Sequence, residues 1–318
     1  MKKIAITLAI AALGLSSCNQ FKKGEGDMMY KIYNKKGGET IKIGDFVAFK
    51  FIQKTEQDSI ISSSYDYDRS AFIEREKSLF KGDMYAALGL LSEGDSASFK
   101  INIDSMVAKM GRQKPGNAKD KYLVYTIKID KVIPKKNLND SLFRTNIESF
   151  LKAELERAKS TEEAKLKEYL TTKNLKPVVQ PSGLNYLITK ESTGSKAVAG
   201  DTVEVNYTGM HLSGKVFDTS LMEVAKKAGT YVDRPYKPLK IPVGTHASIP
   251  GFDEGLMLFP KGTKATLILP SKLAYGEQGN PTILPYTPLV FDIEILNIIS
   301  KNKKEGALSL PAASSVKK

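Results

Sequence analysis

Tryptophan is absent from this 318-residue chain, cysteine occurs once, and histidine occurs only at His211 and His246. A single thiol cannot close an intramolecular disulfide, so stability has to come from packed apolar cores. Neither histidine has a cysteine or a pair of carboxylates beside it in sequence, which argues against a metal site, and no motif implies a cofactor. Beyond the first fifteen residues, no apolar run approaches the roughly 20 residues that a transmembrane helix needs. The net charge is +13, yet the lysines are scattered, with clusters at Lys22-Lys23, Lys35-Lys36, Lys135-Lys136 and the C-terminal tail. No basic stripe is interleaved with aromatics, so nucleic acid is not an expected partner. The excess charge reads as solvated surface with a mild attraction to anionic membrane.

What is present begins with a targeting segment. Lys2 and Lys3 form a positive start, and Ile4 to Leu15 is an apolar core too short to span a bilayer. Leu15-Ser16-Ser17-Cys18 resembles the lipobox of bacterial lipoproteins, in which the cysteine is lipidated and becomes the mature N-terminus. Residues 1–18 are therefore expected to be a lipoprotein signal peptide, with Cys18 as the lipidation site and lipid as the membrane anchor. That places the chain in the cell envelope, and Asn19 after the cysteine favours the outer membrane. About 300 mature residues allow two ordinary domains plus linkers.

Residues 19–27 are polar and read as a flexible tether. Residues 28–135 and 183–299 read as two copies of one fold. Met29-Tyr30-Lys31-Ile32 corresponds to Leu184-Asn185-Tyr186-Leu187, and Gly44-Asp45-Phe46-Val47 to Gly200-Asp201-Thr202-Val203. Glu93-Gly94-Asp95 echoes Lys261-Gly262-Thr263, and the run from Leu123 to Ile129 echoes that from Leu289 to Ile295. Four matches in one order argue for a duplicated domain. Between the copies, residues 138–176 read as a helical connector, with Phe143, Ile147, Phe150, Leu151, Leu155 and Ala158 on one face. Ser160 and Glu163 suggest a capping box that starts a second helix, ending near Asn174 before Pro177 and Pro181. Residues 300–318 read as a disordered tail.

In the second copy Val203, Val205 and Tyr207 alternate with Thr202, Glu204 and Asn206, the period of a half-buried strand. Ala265, Leu267 and Leu269 repeat the pattern, as do Leu289, Phe291, Ile293 and Ile295. Each strand has an apolar face that needs a cover. The segment from Pro250 to Leu258 supplies it, with proline at the first turn and Asp253 and Glu254 at the positive end of the helix dipole. The expected class is α+β: an antiparallel sheet wrapped on a short helix, twice over.

Three blocks of this copy, VEVNYTGMHLSGKVFDTS, IPGFDEGLMLFPKGTKATLILPSKLAYGEQG and TPLVFDIEILNI, resemble the FK506-binding (FKBP) family of peptidyl-prolyl isomerases in order and spacing. The resemblance implies a cleft lined by Tyr207, Phe217, Leu239, Phe252, Ile249 and Phe291, with Asp218 as its single buried acid. It implies that the Tyr275 hydroxyl and the Ile249 N–H donate to substrate carbonyls, and that Ile283 and Leu284 lie on a loop overhanging the cleft. Such an enzyme needs no nucleophile, metal or cofactor. Rotation about a peptide bond faces a barrier of ~18–20 kcal/mol, and a thousandfold acceleration needs only ~4 kcal/mol of preferential binding to the twisted amide. The implied partners are Pro-containing exported or unfolded polypeptides and macrolides of the FK506 type.

This chain departs from the family pattern in three places. Phe252 stands where the floor of the cleft is usually tryptophan, Leu239 replaces a usual aromatic, and residues 221–236 make a longer bulge. The first copy lacks the constellation: Phe51 stands near the Tyr207 position, Ile61-Ser62 replaces Phe-Asp, and Lys109 lies near the Tyr275 slot. That copy is expected to be non-catalytic. Two further functional readings are a holdase chaperone that grips peptide without turnover, and a scaffold subunit of an envelope secretion or motility complex.

Overall fold

A computed structural model describes residues 20–111, 119–136 and 138–301. Cys18 with its signal segment, and all of the tail except residues 300 and 301, lie outside the described residues. No described helix is long and apolar enough to cross a membrane.

The chain is α+β, and each half carries a seven-stranded antiparallel sheet. The first sheet comprises β1 (Lys22–Lys23), β2 (Met29–Asn34), β3 (Phe46–Lys54), β4 (Ile60–Ser63), β5 (Ala71–Glu74), β6 (Ser96–Asn102) and β7 (Tyr122–Ile133). Its spatial order is β1-β2-β6-β7-β3-β4, with β5 also on β3. Helices α1 (Met84–Leu88) and α2 (Ile103–Met110) accompany it. One helix, α3 (Asp140–Thr172), follows, and the division between the two compact units falls between Ile147 and Glu148.

The second sheet comprises β8 (Val178–Val179), β9 (Asn185–Lys190), β10 (Thr202–His211), β11 (Val216–Thr219), β12 (Leu239–Pro242), β13 (Lys264–Leu269) and β14 (Leu289–Ile299). Two helices, α4 (Met222–Ala228) and α5 (Pro250–Met257), belong to it. Its order is β8-β9-β13-β14-β10-β11, with β12 also on β10. Strand for strand this is the arrangement of the first sheet, so the two halves are copies of one topology.

The correspondence extends to single hydrogen bonds. Phe51 N–H donates to Ser64 Oγ at 2.9 Å, and Tyr207 N–H to Ser220 Oγ at 3.0 Å. The Asp45 carboxylate accepts from the N–H groups of Lys42 and Lys135; Asp201 accepts from those of Val198 and Lys301. Gly94 N–H donates to Ile129 O, and Gly262 N–H to Ile295 O. Two buried cores result, one around Phe99, Ile127 and Leu88, the other around Leu267, Leu256 and Phe252.

Three boundaries differ from the sequence reading. Residues 22 and 23, expected in the tether, pair with Tyr30 and Met29 as β1. Likewise β8 adds residues 178 and 179 to the second sheet, ahead of the expected start at 183. The connector does not break at Ser160. The hydroxyls of Ser160 and Thr161 turn back to the carbonyl of Arg157, which keeps them inside one continuous helix.

Asp201 makes an acid-sensitive joint. Its N–H donors from Val198 and Lys301 hold the carboxyl below its ordinary value. The stabilisation is therefore complete above the ordinary aspartate range near pH ~4 and is lost as pH falls through the lowered folded value. Denaturant titrations of the full chain between neutral and acid pH are expected to show a shallower acid loss for Asp201→Asn in the C-terminal transition. An unchanged acid limb would contradict that assignment.

Candidate active site

Helix α5 starts where a sequence-level start signal sits. Ile249 is its extended N-cap and Pro250 occupies the first turn, where a missing N–H costs nothing. Asp253, in that turn, is buried and accepts from Gly244 N–H at 2.9 and 3.1 Å, which pins the segment before the helix. Gly255 lets the helix lie on the sheet, because a Cβ there would stand 2.5 Å from a Leu267 methyl. The helix consequently brings Phe252 and Ile249 against the inner face of β10 and β14.

A cavity of about 420 Å³ opens there, lined by Tyr207, Phe217, Asp218, Leu239, Ile241, Ser248, Ile249, Phe252, Tyr275 and Phe291. Two of its aromatic pairs meet edge to face and a third is tilted. Phe217 and Phe291 are 5.8 Å apart at 86°, Tyr207 and Phe252 6.0 Å at 78°, and Phe252 and Phe291 5.1 Å at 60°. Such pairs add ~0.5–1.5 kcal/mol each beyond their buried area. Gly209 is what lets them approach: a Cβ at that position would lie 2.6 Å from the Phe217 ring and 2.9 Å from Phe291.

A polar cluster around Asp218 borders this apolar lining. Tyr207 Oη donates to Asp218 Oδ2 at 2.5 Å, and Thr219 N–H donates to Oδ1 at 2.9 Å. Arg234 pairs with Asp218 and also donates to Thr219 O at 3.1 Å. Burial, then the Asp218 carboxylate, pushes the Tyr207 phenol well above the ordinary tyrosine value. Burial also raises Tyr275, with Asp218 adding to the shift, so both hydroxyls stay protonated donors at neutral pH. The Ile249 N–H has no acceptor among the described residues.

Of the ten residues singled out from sequence in this domain, eight converge on the cavity. The two exceptions are Ile283 and Leu284. Ile283 does not overhang the cleft; it is 1% exposed and packs in the core, while Leu284 is 39% exposed and outside the lining. The Asn280 side chain accepts from the N–H groups of Thr282 and Ile283, which turns the loop so that Ile283 points inward. Asp218 is not the buried acid expected, since its side chain is 37% exposed and ion-paired.

Sequence reasoning missed Ile241, Ser248 and Arg234. The alternation in β12 could have revealed Ile241. Nothing in the sequence links Arg234, inside the long bulge, to an aspartate 16 residues away.

The second domain also matches known proteins in sequence. Residues 193–296 match the family of FKBP-type peptidyl-prolyl cis-trans isomerases. The FKBP-type peptidyl-prolyl cis-trans isomerase FkpA of Aeromonas hydrophila is 41% identical over 152 residues, covering 46% of this chain and 52% of the relative. Outer membrane protein MIP of Legionella longbeachae is 35% identical over 173 residues, 52% of this chain and 68% of that protein. The crystal structure of FkpA from Escherichia coli is 32% identical, covering 52% of this chain and 75% of that one, with a TM-score of 0.39. The chain spans about half the length of the FkpA relatives it matches. It belongs to the FKBP-type peptidyl-prolyl cis-trans isomerase family.

Ser248 Oγ is buried without a hydrogen-bond partner among the described residues. An unpaired buried hydroxyl costs ~1–3 kcal/mol. Ser248→Ala is therefore expected to leave stability unchanged or raise it by up to ~1 kcal/mol, read as the denaturant midpoint. A clear loss of stability would show that the hydroxyl is satisfied.

Proposed function

We propose that the chain is a peptidyl-prolyl isomerase that assists folding of exported polypeptides at the cell envelope, held there by a lipid on Cys18. The observation that carries the activity is the aromatic cavity with hydroxyl and amide donors in its lining. The planar amide of an X-Pro bond is polar through resonance, whereas the half-rotated amide has lost that polarity. An apolar, water-poor cleft therefore favours the rotated form over the planar one. Catalysis here is differential binding alone and needs no covalent step.

Within this reading Phe252, Phe291 and Phe217 surround the proline ring, and Tyr207, Ile241 and Leu239 complete the wall. Tyr275 Oη and the Ile249 N–H are donors for the carbonyls that flank the rotating bond. Asp218 orients the Tyr207 hydroxyl and, with Arg234, fixes the lip of the cleft. The first copy serves as a non-catalytic partner domain. The envelope location is supported by the lipobox reading and by the name of the Legionella relative, an outer membrane protein.

The holdase reading draws on the long bulge, where Leu221, Met222, Tyr231 and Val232 are all at least 40% exposed. Binding without turnover would use that surface and would not require Tyr275.

A protease-coupled prolyl peptide assay separates the two. Wild type is expected to accelerate isomerisation, with Asp218→Ala and Tyr275→Phe each losing about tenfold in kcat/KM, about 1.4 kcal/mol of transition-state binding. Phe252→Trp is expected to keep or raise activity, because an indole fills more of the floor. A wild-type chain that slows aggregation of a denatured client without accelerating the peptide would favour the holdase. A large loss in Phe252→Trp would show that the floor is misassigned.

A further inference from the structure

Tyr275 owes its position to a short turn. The segment Ser271–Leu273 is a single 3-10 turn that follows Pro270, and its N-terminus has no local side-chain cap. The Ser271 carbonyl accepts from Ala274 N–H and from Gly276 N–H, both at 2.8 Å. Those two bonds bracket Tyr275, so the placement of Ser271 sets where the Tyr275 ring leaves the backbone.

Ser271 is in turn held from outside the loop. It is 3% exposed, its hydroxyl donates to Glu162 Oε2 at 2.6 Å, and its N–H donates to Glu162 Oε1. Glu162 lies on α3, 109 residues earlier in the chain. One carboxylate thus takes both donors of one serine, in charge-assisted bonds of the strong kind. Chemically this is a capping interaction supplied across the fold in place of the missing local cap.

The same helix reaches the far end of the loop. Lys159 Nζ lies 5.8 Å from the centroid of the Tyr286 ring. Tyr286 N–H donates to Gly276 O at 2.9 Å, and its hydroxyl to Glu277 Oε2 at 3.2 Å. Residues 159 and 162 are one helical turn apart and share a face. Between them they touch both ends of the segment that carries Tyr275.

We propose that Glu162 is a positioning residue for the isomerase site: by capping the Ser271 turn from α3, it aims the Tyr275 hydroxyl into the cavity. Glu162 touches no substrate and acts through Ser271. The catalytic part of this inference rests on the isomerase reading above; the brace itself does not.

Two measurements on the full chain test it. In hydrogen exchange, Glu162→Ala is expected to speed exchange of the Ala274 and Gly276 amides by about tenfold or more while the strand amides stay protected. In the prolyl assay, Glu162→Ala is expected to lower kcat/KM about fivefold, and Glu162→Ala combined with Tyr275→Phe to be no slower than Tyr275→Phe alone. Glu162→Gln, which keeps one acceptor oxygen, is expected to fall between wild type and Glu162→Ala, and it carries both measurements should Glu162→Ala not fold. Unchanged exchange at Ala274 and Gly276 overturns the brace, and losses that simply add in the double variant overturn its link to Tyr275. A wild-type chain without isomerase activity, but with the exchange response intact, overturns the catalytic link and the isomerase reading together while the brace stands.

Discussion

The second domain's cleft depends on a missing side chain. Two sheets with the same strand order differ at the residue where β10 faces β14: Gly209 opposite Phe291 in the second, and Gln53 opposite Tyr125 in the first. Without a Cβ at 209, the Phe217 and Phe291 rings close over the strand and frame a cavity. With glutamine at 53, the amide instead donates to Tyr125 Oη at 2.8 Å. Burial pushes the Tyr125 phenol up despite that bond, as expected for a ring enclosed by the chain itself. The remaining substitutions follow the same direction. Strand register places Phe51, Ile61 and Ser62 where Tyr207, Phe217 and Asp218 stand, and Ala71 where Leu239 stands. The strand order is kept while the residues at the cleft positions are replaced.

Much of this architecture is legible in the amino-acid sequence. Period-two alternation marks β10, β13 and β14, because one face of each strand packs on a core and the other does not. Proline and two acids mark the start of α5 through the needs of a helix N-terminus. The duplication is legible because the residues that fasten turns recur: Asp45 and Asp201, Gly94 and Gly262, each with the same backbone bonds. The eight lining residues are legible only through their joint match to a family, since Phe252 and Phe291 alone read as core, Tyr207 as a strand residue and Asp218 as a turn residue.

What is not legible depends on contacts distant in sequence. Ile283 looks like a rim residue by position, but the chain reversal at Gly279 and the Asn280 side chain fold it into the core. Ser160 and Glu163 look like a helix start, yet a hydroxyl can bond back to the preceding turn as readily as cap a new one. The carboxylate with a capping role in that stretch is Glu162, and the turn it caps lies in another part of the domain. Local pattern identifies a capping residue; only tertiary structure identifies what it caps.

The ion pair at the lip of the cleft has a consequence for what the cavity can hold. Asp218 is the only acid in the lining, and Arg234 from the bulge neutralises it at close range. The pair cancels the one charge that the lining itself carries, so the wall offers apolar surface and neutral donors. Long-range attraction is screened beyond about 8 Å at physiological ionic strength in any case. Any segment seated in this cavity would therefore be held by apolar contact and neutral hydrogen bonds, with no net charge in the wall to favour an acidic or a basic neighbour.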